Sequence, residues 1–116
     1  MSGIEQSPIA ARYDVWGIYL QHEERELGKV SWHEIDLVAI RIEDEFLPFP
    51  YWYIGNKANL LRFPNDAKGG KELFFDGLGE HIPGYKCDST YKTIIAASSA
   101  LEGSFIVWKS ANAESA

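Results

Sequence analysis

The chain has 116 residues, 17 acidic and 11 basic side chains, a net charge of −6 and one cysteine, Cys87. This length suits one domain that buries roughly 65% of its unfolded surface. The lone thiol excludes an internal disulfide framework and suits a reducing compartment. No apolar run is long enough to span a membrane, and the N-terminus lacks the basic and apolar regions of a signal peptide, so the expected location is the cytoplasm.

Charge is distributed unevenly. Residues 1–45 carry Arg12, Arg25, Lys29 and Arg41 against ten acids, while residues 46–116 carry seven of each sign. The excess gathers in Glu23, Glu24 and Glu26 and in Glu43, Asp44 and Glu45. Such a face keeps a protein solvated, and it also steers basic partners. Nucleic acid is disfavoured as a partner, because phosphate contacts require clustered Lys and Arg.

Residues 1–10 read as a loose leader. Arg12–His22 alternates as a first strand, with Gly17 marking a bulge or a close crossing. Glu23–Gly28 is the turn back into Lys29–Trp32. Ser31 and Glu34 have capping-box spacing, so Ser31–Ile35 reads as one tight turn. Asp36–Asp44 is the central strand. Val38, Ile40 and Ile42 share one face, Arg41 and Glu43 the other, and Leu37 and Ala39 are apolar on that second face.

Leu47–Pro50 reads as an extended linker, because each proline biases its predecessor away from helix. Tyr51–Gly55 and Leu60–Phe63 form a hairpin through Asn56–Asn59. Asn65–Gly70 is a loop. Glu72–His81 is helical but weakened by Gly77 and Gly79, at about 1 kcal/mol each. Ile82–Tyr85 stops it. Asp88 caps a second helix, Ser89–Leu101, with an expected buried stripe of Tyr91, Ile94, Ile95 and Leu101 and with Gly103 at C′. Ser104–Lys109 is a final strand with Phe105 and Val107 on one face and Ile106 and Trp108 on the other. Ser110–Ala116 is a tail. The expected fold class is α+β: a single, mainly antiparallel sheet of about five strands with two helices on one face.

No catalytic motif emerges. His22, His33 and His81 fall on three elements, and His22-Glu23-Glu24-Arg25-Glu26 lacks the second histidine of a zinc-protease motif, so no metal site is expected. Cys87 precedes a helix start, which lowers a thiol pKa, but Asp88 opposes the thiolate. Lys68-Gly69-Gly70-Lys71 lacks the first Gly and the final Ser/Thr of a phosphate loop. Asp36, Asp44 and Asp76 form no distinctive acid–base pair. Trp16, Trp32, Trp52 and Trp108 read as core. Trp52 and Tyr53 lie on opposite faces of one strand, so one of them is a candidate surface anchor.

From Trp32 to Trp108 the landmarks resemble a family of small uncharacterised bacterial proteins. They are Trp32 and Ile35, Pro48 and Phe49, Tyr51 and Trp52, the run Ile82-Pro83-Gly84-Tyr85, and Phe105 with Trp108. The chain departs from that pattern at Val107, where the family often has Cys, and in the acids after Asp44. The matched residues are packing and turn types. Genes of this kind look like those that accompany secreted toxins, so the resemblance implies an immunity protein.

The combined expectation is a non-enzymatic protein that masks a basic toxin, without a cofactor. Partner-binding candidates are Glu23, Glu24, Glu26, Glu43, Asp44, Glu45, Phe46 and Trp52. A pleckstrin-homology-like module for a lipid or small ligand is the alternative, and a small enzyme a third. Oligomeric state stays open.

Overall fold

Asp14 divides what reads as one long strand. Its carboxylate accepts hydrogen bonds from the backbone N–H groups of Trp16, at 2.8 Å, and Gly17, at 3.2 Å. A short polar side chain that offers the backbone such bonds favours a turn over a continued strand. In a computed structural model, which describes residues 9–44, 48–85, 88–98, 100 and 102–110, the chain folds back here. Strand β1 is Ile9–Tyr13 and β2 is Gly17–His22. Residues 9 and 10, expected in a leader, belong to β1. Gly17 is a close crossing: a Cβ there would lie 2.1 Å from the Val30 carbonyl oxygen.

The next turn is shorter than expected. Glu23 and Glu24 alone link His22 to Arg25, which are paired. Strand β3, Arg25–Ser31, then runs back along β2. The backbone N–H of Ser31 donates to Glu34, which holds a single 3-10 turn at Trp32–Glu34. Strand β4 is Leu37–Asp44, and β5 is Pro48–Gly55.

The prolines of the expected linker are therefore part of β5. Their location explains this. Pro48 and Pro50 pair with Asp44 and Ile42 of β4, but β6, Leu60–Pro64, reaches along β5 only as far as Tyr51. The missing proline donors face the side where β5 has no strand neighbour.

Two sheets result, not one. Strands β1-β2-β3 form the first, and β6-β5-β4-β7 the second, with β7 at Gly103–Lys109. All strand pairs are antiparallel. The sheets are joined where β3 approaches β6: Asn59 Nδ2 donates to the Lys29 carbonyl at 2.6 Å, and Gly28 sits against Leu61.

Helix α1 is continuous through Gly70–Glu72, Leu73–Gly77 and Leu78–His81, and its middle segment is π-helical. Gly77 is required for packing: a Cβ there would come within about 3.0 Å of the Tyr13 ring. The core forms between the sheets and α1. Trp52 stacks on Phe74 at 3.8 Å between ring centroids, and Phe74 stacks in turn on Phe63.

Helix α2, Asp88–Ser98, packs mainly on β7. Its buried residues are Thr90 and Ala97, with Ile94 partly covered. The expected stripe was out of phase. Tyr91 is 42% exposed and Ile95 67% exposed, and Leu101 lies outside the described residues. A bulge at Val107 alters the phase of β7: Trp108 opposes Val38, but Ile106 opposes Ala39. Trp108 therefore turns inward with Phe105, Val107 is buried, and Ile106 alone points out at 52% exposure.

Candidate binding surface

Strands β4, β5 and β6 alternate side chains between two faces. Val38, Ile40, Trp52, Ile54, Leu61 and Phe63 point into the core. The opposite face carries Arg41 and Glu43 from β4, Phe49, Tyr51 and Tyr53 from β5, and Leu60 and Arg62 from β6. Register places Arg41 beside Tyr51, Glu43 beside Phe49, and Arg62 beside Tyr53. Both helices pack on the other side of this sheet or at its edge, so the face remains bare among the described residues; Phe49 and Leu60 are exposed.

One polar network organises this surface. Arg62 Nη2 donates to Glu43 Oε1 at 2.6 Å, and Arg62 Nε donates to Glu43 Oε2 at 3.2 Å. The Tyr53 hydroxyl donates to the same carboxylate. The Arg62 guanidinium lies 4.1 Å from the Tyr51 ring centroid, a cation–π distance, and Phe49 meets Tyr51 edge-on. The hydrogen bonds and charge of Arg62 hold the Glu43 carboxyl below its ordinary range.

The sequence candidates distribute as follows. Glu23, Glu24 and Glu26 are all exposed around the β2–β3 turn. Glu23 adopts a left-handed conformation, φ 61°, which ordinarily favours glycine or asparagine. Glu43 is not a free acid, because Arg62 neutralises it. Asp44 closes β4, and Glu45 and Phe46 lie outside the described residues. Trp52 is corrected from surface anchor to core: it is 1% exposed, and its Nε1 donates to Asn65 Oδ1 at 2.8 Å. Its neighbour Tyr53 is the one that faces out. The tryptophan readings also change at Trp16, which is 43% exposed and lies beside Tyr19 and under Lys29. Sequence reasoning missed Phe49 and Tyr51; the signal was their period-two spacing with Tyr53.

The acidic turn is bridged to the start of β5, at one edge of this face. Residues 65–68 connect them: Asn65 N–H donates to the Pro50 carbonyl, and Lys68 N–H donates to the Ile9 carbonyl. Ile9 pairs with His22 at the base of the acidic turn, and Pro50 lies near the start of β5.

Elsewhere, a depression of about 750 Å³ lies against β1, lined by Arg12, Asp14, Tyr19, Gln21, Lys68 and Glu72 among others. Charges of both signs alternate around it. Its Asp14 carboxylate is engaged by the turn, and the Trp16 N–H bond, foremost, lowers its pKa. Among the described residues no three His, Cys, Asp or Glu side chains gather as a metal site, and no helix is long and apolar enough to cross a membrane. Comparison with family models, curated proteins and solved structures returned no match.

Proposed function

We propose that the protein is a non-enzymatic binding module that masks a basic protein partner, in the manner of an immunity protein neutralising a secreted toxin. The reading rests on the bare sheet face, where Phe49, Tyr51 and Tyr53 stand around an internally neutralised Glu43–Arg62 pair. Aromatic side chains supply contact area at low entropic cost, and a satisfied ion pair adds a polar centre without leaving a charge unmatched. Arg41 and the Glu43–Arg62 pair leave this face without negative excess. Attraction of a basic partner therefore falls to Glu23, Glu24 and Glu26 at the β2–β3 turn.

The test is to express the chain with the product of its neighbouring gene and measure the affinity of the complex. Replacing Phe49 with Ala should weaken it by about tenfold or more, the usual effect of removing an aromatic anchor, without lowering the thermal midpoint of the free protein. A neighbouring product that does not bind, or a complex indifferent to Phe49→Ala, would contradict this reading.

A further inference from the structure

We infer that the depression against β1 is a binding site for a small zwitterion, an α-amino acid with a neutral polar side chain. Its floor is the face of the first sheet that looks away from the core. Ala11, Ile18 and Leu20 are buried, so Ala10, Arg12, Tyr19 and Gln21 project from the opposite face. Register sets Arg12 beside Tyr19 and Ala10 beside Gln21. Lys68 adds one more column, because it pairs in parallel with Ala10: its N–H donates to the Ile9 carbonyl, and its carbonyl accepts from the Ala11 N–H. Lys68 and Arg12 are thus diagonal neighbours on one face, roughly 7–8 Å apart at Cα, with small Ala10 between them. That small residue leaves room for the depression of about 750 Å³.

The charges around it are not equally committed. Among the described residues neither Arg12 nor Lys68 is in an ion pair. Asp14 is spent on its own turn: Oδ1 accepts from the N–H groups of Trp16 and Gly17, and the Tyr19 hydroxyl donates to the same carboxylate. Glu72 is exposed and without a partner among the described residues. It belongs to α1, which packs under the Tyr13 ring, so it stands across the free edge of β1 from the two cations. The Ala11 N–H is directed away from β2, toward Lys68, and Tyr13, two residues on, presents its N–H to that same side. The edge between cations and acid therefore carries a backbone donor.

An α-amino acid matches this arrangement. Its carboxylate accepts from Arg12, Lys68 and the Tyr13 N–H, and its ammonium group donates to Glu72. The Tyr19 hydroxyl keeps an accepting lone pair, and the Gln21 carboxamide both donates and accepts, so a carboxamide side chain suits them. A simple anion would be repelled by Glu72, and a simple cation by Arg12 and Lys68. The inference does not rest on the partner-binding reading, which concerns a face of the second sheet.

Nuclear magnetic resonance of the full chain, titrated with L-glutamine, tests it. Saturable shifts of the Arg12, Tyr13, Gln21 and Glu72 amides are expected below about 10 mM ligand, the range of a weak site. N-acetyl-L-glutamine lacks the ammonium group and L-glutamine α-amide lacks the carboxylate. Each should bind about tenfold or more weakly, the scale of a lost hydrogen bond to a charged group. Arg12→Gln should weaken L-glutamine to a similar degree, and Glu72→Gln should erase its advantage over the N-acetyl compound. Both positions are exposed, and unchanged resonances elsewhere in the spectrum check that the fold is kept. No saturable shift at these amides, equal binding of the three compounds, or binding indifferent to Arg12→Gln overturns the proposal.

Discussion

Glu43 and Arg62 meet across the bare face of the second sheet, 2.6 Å apart at their closest atoms, although β5 lies between their strands. The pair fixes Tyr53 through its hydroxyl and poises Arg62 over Tyr51. Glu43→Gln should therefore cost stability, but by less than about 1 kcal/mol, because Arg62 is substantially exposed and water screens the attraction.

The pH dependence of that loss follows from the direction of the shift. Arg62 holds the Glu43 carboxyl below its ordinary value. Its contribution is complete above the unfolded value, about 4.3, and fades as pH falls through the lower folded value. Urea denaturation of wild type and Glu43→Gln should differ at pH 7 and converge in acid. A difference that persists unchanged at low pH would place the effect elsewhere.

Glu23 is the non-glycine residue with positive φ among the described residues. Glycine adopts that conformation without steric cost. Glu23→Gly is expected to stabilise the fold by roughly 0.5–1 kcal/mol, an effect read as a higher urea midpoint at unchanged slope. A destabilised Glu23→Gly would mean that the side chain makes contacts that matter more than backbone strain.

Tyr85 is buried, and among the described residues its hydroxyl has no hydrogen-bond partner. Burial, foremost, pushes the phenol pKa upward. Tyr85→Phe removes an unsatisfied polar atom and keeps the ring, so it should raise stability, by about 1 kcal/mol. A loss on thermal denaturation would show that the hydroxyl is satisfied in solution.

Much of the second sheet was legible from period two alone. Val38, Ile40 and Ile42 can be buried together only as one strand face, and β4 follows that phase. Which face of β5 is covered was not legible. Trp52 and Tyr53 alternate equally well in either orientation, and partners distant in sequence decide it: Phe74, 22 residues on, stacks on Trp52, and Asn65 accepts from its Nε1. The first hairpin was hidden because Asp14-Val15-Trp16-Gly17 lacks a familiar turn dipeptide. The turn depends on the Asp14 carboxylate and on Gly17 passing against Val30. In α2 the large apolar residues suggested the buried stripe, but small Thr90 and Ala97 allow the helix to approach β7. Size misled where closeness of packing decided.

Recognition of the partner, as proposed, depends most on the acidic turn drawing a basic protein toward the bare sheet face. Stopped-flow association with the product of the neighbouring gene, at low and at high salt, tests this directly. With Glu23, Glu24 and Glu26 all replaced by Lys, the low-salt rate should fall by about tenfold or more, with the difference shrinking at high salt. Equal rates for wild type and variant at low salt would contradict it.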